Sequence, residues 1–263
     1  MNSEVSAFKP LSGCTVMVTR ARHQAGGLAD LLAPLGAGVI LQPAIEIVET
    51  SSWSRFDAAI KRISGFSRVV LVSANAASFF FSRINDPVSP EMTAADLARV
   101  EFVAIGAATA ATAAGHGVRV ALVPDRSDSE TLANLLEANP TQGKTMVIRA
   151  DRGSRVLSDR LKKAGCAFEQ FPIYQSRDVT EAASEVRTQM QSKMIDWTTV
   201  TSSAIGASLL NLFGAELLQK TRLVSISPTT TAALESLGLK VDAEATDYNM
   251  DGLVAAIVAN ATS

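Results

Sequence analysis

Two open, parallel, doubly wound α/β sheets, one for each half of the chain, are the fold that this sequence predicts. Three observations predict it. Residues 15 to 45 (TVMVTRARHQAGGLADLLAPLGAGVILQPAI) return as residues 144 to 174 (KTMVIRADRGSRVLSDRLKKAGCAFEQFPIY) at a constant shift of 129 without a gap. That period is the size of a small domain and far too long for a solenoid repeat. Short apolar runs alternate with helical stripes through both halves, and strand, helix, strand is the βαβ unit whose right-handed crossover makes its strands parallel. At 263 residues there is room for two domains, and the repeat decides for two over one large one.

In the first copy, Val16 to Thr19 reads as a strand buried on both faces, followed by a polar loop from Arg20 to Gln24. Leu28, Leu31, Leu32 and Leu35 recur at helical spacing, and Pro34 and Gly36 end that helix. Val39 to Leu41 is the next strand. Ile45 to Val48 alternates in character, as a solvent-facing strand or linker does. A helix from about Trp53 to Ile63, a buried strand at Val69 to Val72 and a helix through Phe79 and Phe80 follow. The two prolines between Asn85 and Pro90 mark a loop. Phe102 to Ile105 is a strand running into an alanine-rich helix that Gly115 and Gly117 stop. Val118 to Val123 is a strand, and Ser127-Asp128-Ser129-Glu130 has the form of a capping box before a helix through Leu132, Leu135 and Leu136.

The later chain repeats the order. Val200-Thr201-Ser202 answers Val72-Ser73 at the same shift of 129, and Leu223 to Thr231 answers the block around Ile105 at a shift of 121, pairing Thr109 with Thr230 and Leu132 with Leu253. The eight residues lost between the two shifts fall where the first copy has its proline loop, a place where deletion is tolerated.

Composition sets bounds on function. Apolar residues make up 47% of the chain and charged residues 19%, as in a globular protein, and the net charge of -2 gives no broad field to recruit nucleic acid. No run of eighteen uncharged apolar residues offers a membrane span, and the first thirteen residues do not have the make-up of a signal peptide, so a cytoplasmic protein is expected. Cys14 and Cys166 occupy non-matching places and read as two buried free thiols. The glycine-rich phosphate loops, the zinc-protease motif, C-x-x-C and the nucleophile elbow are all missing, and the two histidines, His23 and His116, read as turn residues. These absences count against metal and nucleotide cofactors.

In open parallel sheets ligands bind at the carboxyl ends of the strands. Here those ends are Thr19-Arg20, Ser73 to Asn75, Gly106 to Thr109, Arg149 to Arg155, Ser202-Ser203 and Ser227 to Thr230. They combine helix starts, whose first N–H groups favour anions, with a duplicated cluster of arginines, Arg20 and Arg22 in one loop and Arg149, Arg152 and Arg155 in the other. Exposed arginines beside Ser and Thr helix caps would look the same one by one. The clustering in both copies points to a polyanionic ligand.

Seven segments carry a family likeness: VMVTRA near the start, LVSANA at Leu71, VAIGAATAA at Val103, VIRADRGSRVLSDRL at Val147, FPIYQS at Phe171, VTSSA at Val200 and SPTTTAAL at Ser227. In order and spacing the sequence resembles uroporphyrinogen-III synthase over nearly its whole length. The resemblance implies two flavodoxin-like doubly wound parallel-sheet domains joined by a two-stranded linker, with the first strand-helix-strand of each copy packing on the rest of the other. One domain would be residues 1–42 with 174–263, the other 43–173. It implies a cofactor-free enzyme that closes linear hydroxymethylbilane, a substrate with eight carboxylates, to uroporphyrinogen III while turning over the last ring; a monomer is expected because two lobes already supply a cleft.

By the same resemblance, Tyr174 is the candidate proton donor to the departing hydroxyl. Its counterpart in the first copy is Ile45, so simple packing is the competing role. Substrate contacts are implied for Arg20, Ser73, Gly106, Thr109, Arg155, Ser202, Ser203 and Thr230. Ser227 departs from the pattern by standing where the family carries glycine. The alternative function is a two-lobed binding protein that closes over an anionic small molecule without reacting.

Overall fold

The computed structural model describes residues 9–90 and 92–261, with the side chains of His23 and Ala94 excepted. Among the described residues eleven strands run β1 Thr15–Val18, β2 Gly38–Leu41, β3 Ile45–Glu49, β4 Phe66–Leu71, β5 Glu101–Ala104, β6 Val120–Leu122, β7 Lys144–Ala150, β8 Phe168–Asp178, β9 Trp197–Val200, β10 Arg222–Ser225 and β11 Ala243–Glu244. They form two sheets, of order β11-β10-β9-β1-β2 and β3-β8-β7-β4-β5-β6. Apart from β3 every strand pairs in parallel. The two sheets are therefore copies of one order in which each copy's first pair, β1-β2 or β7-β8, sits beside the other copy's remaining strands. β1 lies on β9 (Val16 opposite Trp197), and β7 lies on β4 (Met146 opposite Val69). Strand β3 runs against β8, bonded at its ends through Val179 N–H to Ala44 O and Thr50 N–H to Ile173 O.

The chain divides into two compact units. One takes in the chain as far as Glu46 and again from Arg177 onward; the other is Ile47–Ser176. In the second unit the strands bury both faces, which is why they read as continuous apolar runs. Val69, Leu71, Met146 and Ile148 join Phe56, Phe80 and Phe81 on one side. Val70, Val103 and Val147 join Leu132, Leu136, Leu157 and Leu161 on the other. In the first unit Leu28, Leu32, Leu253 and Ile257 pack on Val16, Val18, Trp197 and Val224.

The α-helices of the described residues are, in chain order, α1 Arg22–Leu32, α2 Ser54–Ile60, α3 Ala74–Ile84, α4 Ala94–Arg99, α5 Ala107–Gly115, α6 Ser129–Ala138, α7 Val156–Lys163, α8 Ser184–Gln191, α9 Ser203–Phe213, α10 Ala215–Leu218, α11 Pro228–Ser236 and α12 Met250–Ala261. Among the described residues no helix is long and apolar enough to cross a membrane.

Four expectations need correcting. Helix α1 begins at Arg22, so Arg22 to Gln24 form its first turn instead of a loop. The cap of α6 is Asp128, whose carboxylate accepts the Thr131 N–H at 2.8 Å, one residue beyond the expected Ser127; its charged oxygen is a strong acceptor for the free amide at a helix start. The two thiols are free but only half-buried. Helix α4, not expected from the sequence, is started by a reciprocal box between Thr93 and Asp96.

Tight packing gives one prediction for stability. Gly252, in the first turn of α12, lies so close to the preceding loop that a Cβ there would sit 2.0 Å from the Asp247 carbonyl oxygen. A backbone atom cannot swing aside, so Gly252→Ala is expected to cost about 1–3 kcal/mol. The urea unfolding midpoint measures this, and an unchanged midpoint would contradict the packing.

Candidate functional site

The expected site residues fall into two groups, one per unit. In the unit Ile47–Ser176 they are Ser73, Gly106, Thr109, Arg155 and Tyr174. Ser73 follows β4 and caps α3, its Oγ accepting the Ala76 N–H at 2.9 Å. The same Oγ lies 2.8 Å from the Tyr174 hydroxyl, so strand β8 delivers the tyrosine to the carboxyl end of β4. The Tyr174 ring stacks on Phe79 of α3, with centroids 5.4 Å apart and planes 10° from parallel, and only 6% of the residue is exposed. Burial pushes the Tyr174 pKa up, Ser73 and the Arg149 charge oppose this, and Asp151 adds a small push in the same direction as burial. The net effect is a phenol that keeps its proton at neutral pH.

Gly106 is the residue before α5, and glycine is required there by a close neighbour: a Cβ would meet Ser127 Oγ at 1.9 Å. In the other copy Ser227 takes that place, and the residue matching Ser127 is Tyr248, which is 58% exposed. Ser227 acts as the cap of α11, with its Oγ 3.4 Å from the Thr230 N–H and 3.2 Å from Thr230 Oγ1. Thr109 and Thr230 are each 3% exposed, so both threonines face the protein and offer little surface to a ligand.

Arg155 is exposed at the start of α7. With Arg55, Arg149 and Arg152 it lines an open hollow of about 630 Å³, where four arginines outnumber two carboxylates, Asp151 and Glu169. Arg149 is not a loop residue, as the sequence suggested, but belongs to β7 and is half-buried. Its Nε donates to the Ala150 carbonyl at 3.0 Å and its Nη1 to Gln170 Oε1 at 2.8 Å. The signal for it was in the repeat itself, because Arg149 is the counterpart of Arg20.

In the other unit, Ser202 caps α9 by accepting the Ile205 N–H at 3.2 Å, just as Ser73 caps α3, and Ser203 is the first residue of that helix. Arg20, beyond the end of β1, donates to Met250 Sδ at 2.9 Å and to Gln24 Oε1 at 3.4 Å. Burial draws its pKa down. Among the described residues no carboxylate pairs with Arg20 or Arg149, whereas Arg62, Arg68, Arg83 and Arg160 each have one. Two held guanidinium groups without a counter-ion, one at each sheet's carboxyl end, suit carboxylates of a ligand. Among the described residues no group of three or more His, Cys, Asp or Glu could hold a metal.

The profile of the family described as uroporphyrinogen-III synthase HemD matches residues 27–255. Uroporphyrinogen-III synthase of Synechococcus elongatus is 27% identical over 95% of this chain and 97% of its own length. That of Chlorobaculum parvum is 24% identical over 87% and 91%. The crystal structure of the Helicobacter pylori uroporphyrinogen-III synthetase shares the fold at a TM-score of 0.63, covering 94% of this chain and 98% of its own at 17% identity. A mutant uroporphyrinogen III synthase from Thermus thermophilus also gives 0.63, covering 92% and 96% at 13% identity. With a profile match over residues 27–255, the chain belongs to the uroporphyrinogen-III synthase family.

Proposed function

We propose that this protein converts hydroxymethylbilane to uroporphyrinogen III, with loss of water and inversion of the last pyrrole ring. The observation that carries the reading is a buried Tyr174 whose hydroxyl is held 2.8 Å from Ser73 Oγ in the unit that also bears the arginine-rich hollow. Family membership supports it. The arginines hold the carboxylates, and Tyr174 donates its proton to the terminal hydroxyl as the C–O bond breaks. The pyrrole nitrogen lone pair expels the water and leaves an azafulvene cation, so one weak acid suffices. Attack by the substituted carbon of the last ring gives a spiro intermediate, which fragments and recloses inverted. The last carbon to be joined sheds a proton, which balances the one lent by Tyr174. Most of the work is then conformational, since the chain must be folded for the substituted carbon to attack first.

On this reading Arg20 and Arg155 contact carboxylates, while Ser73, Ser202, Ser203, Gly106, Thr109 and Thr230 shape the helix starts that face the substrate. Purified protein given hydroxymethylbilane is expected to yield the III isomer. Formation of the I isomer alone, at the rate of spontaneous closure, would instead fit a protein that only binds the anion. The same reading carries the expectation of a monomeric, cytoplasmic enzyme without cofactor, which light scattering and metal analysis of the active protein check.

A further inference from the structure

Beside the open hollow the unit Ile47–Ser176 holds a second, smaller cavity of about 210 Å³, and Tyr174 forms part of its wall. It lies at the top of the core layer between the sheet and α7, floored by Val72, Val147, Leu157 and Leu161. This is where the strand order of the sheet reverses, between β7 and β4, the usual place for a ligand in such folds. One side is apolar and the other is not. Arg149 stands in the wall of both the cavity and the hollow, fixed by Gln170 and the Ala150 carbonyl and without a carboxylate partner among the described residues.

Size and chemistry together select an occupant. Sites for ordinary small molecules run to roughly 300–1,000 Å³, so this cavity is too small for four linked rings and suits one. An apolar floor with the held Arg149 guanidinium at its edge, and Arg152 also in the wall, matches one aromatic ring bearing carboxylate arms. The neighbour that distinguishes the rings is Tyr174, whose proposed partner is the terminal hydroxyl.

We infer that this cavity seats the pyrrole ring that carries the hydroxymethyl group, with Arg149 binding a carboxylate of that ring. The inference rests on the proposed function and adds to it which end of the substrate this unit takes. Arg149 thereby positions the leaving hydroxyl against Tyr174, and the remaining rings and their carboxylates extend over the arginine hollow.

Two variants test it. Ser158→Leu fills the cavity from α7; the Ser158 hydroxyl bonds only the Arg155 carbonyl in the same helix, so the fold is preserved. It is expected to raise KM for hydroxymethylbilane by about tenfold or more and to release the I isomer by spontaneous closure, at an unchanged unfolding midpoint. Arg149→Gln is assayed with hydroxymethylbilane and with an analogue whose hydroxymethyl-bearing ring has alkyl groups in place of its carboxylate arms. Wild-type protein should bind the analogue about ten- to a hundredfold more weakly than the natural substrate, and R149Q should bind the two alike. If R149Q discriminates against the analogue as strongly as wild type, or if Ser158→Leu leaves KM and the isomer ratio unchanged, the cavity is not the seat of that ring. Failure of the proposed function has a different signature, because wild-type protein would then form no III isomer from the natural substrate.

Discussion

Replacing Tyr174 by phenylalanine is expected to lower kcat for hydroxymethylbilane by about a hundredfold or more while leaving the fold intact. The ring keeps its stack on Phe79, and Ser73 keeps its bond to the Ala76 N–H, so the change removes one hydroxyl and little else. A purely structural tyrosine would lose almost nothing in kcat by this exchange. A wild-type rate in Tyr174→Phe would therefore remove the residue from the chemistry. An independent readout comes from pH. Burial raises the Tyr174 pKa above its unfolded value, so at a pH between the two the folded protein holds a proton that the unfolded chain has lost. Stability from this group is complete below about pH 10 and is lost as pH rises through the folded-state pKa. Urea unfolding at pH 8 and at pH 11 should differ less in Tyr174→Phe than in wild type. That result would show the hydroxyl to be buried and protonated as drawn, whatever the rate does.

Much of this arrangement could be read before the structure, and the parts that could not have physical causes. Apolar runs buried on both faces in β1 (Val16 to Val18), β4 (Val69 to Leu71) and β7 (Met146 to Ile148) announce a parallel sheet buried between helices. The same uniformity hides their partners. Nothing in VMV or MVI says whether β1 belongs beside β4 or β9, and the exchange of first pairs between copies had to come from family likeness. Arg149 was read as part of a loop because a charged residue at the end of an apolar run looks like an exit from the strand; its half-buried place depends on Gln170, twenty-one residues away. The family likeness implies ligand contacts for Thr109 and Thr230, while the helical phase turns both inward to 3% exposure. The glycine at 106 is dictated by Ser127 across a loop, a non-local contact that a scan for local turn signals does not weigh. Helix α4 did carry a local signal, Thr93 with Asp96, obscured by its shortness and the polar run before it.

Arg20→Met is expected to move stability and affinity in opposite directions. Arg20 is half-buried, and its donors reach only a thioether at 2.9 Å and a side-chain amide at 3.4 Å, partners too weak to repay the loss of water around a cation. The guanidinium remains charged at any accessible pH despite the lowered pKa. Exchanging it for an unbranched apolar chain of similar length should thus leave the free protein as stable or raise its stability by about 1 kcal/mol. A carboxylate arriving from the substrate would supply the missing counter-ion through paired hydrogen bonds, and losing that contact should raise KM by about ten- to a hundredfold with a smaller effect on kcat. Melting experiments and steady-state kinetics on the same preparation report both quantities. A less stable variant with an unchanged KM would mean that Arg20 serves to hold Met250 and the start of α12. A more stable variant with a raised KM would mean that the site carries an unpaired charge because its partner is the ligand. The same trade is then expected at Arg149, the matching residue of the other copy, where the charge is likewise held by an amide and a carbonyl. Duplication would in that case have preserved a binding device along with a fold, one cation at the carboxyl end of each first strand.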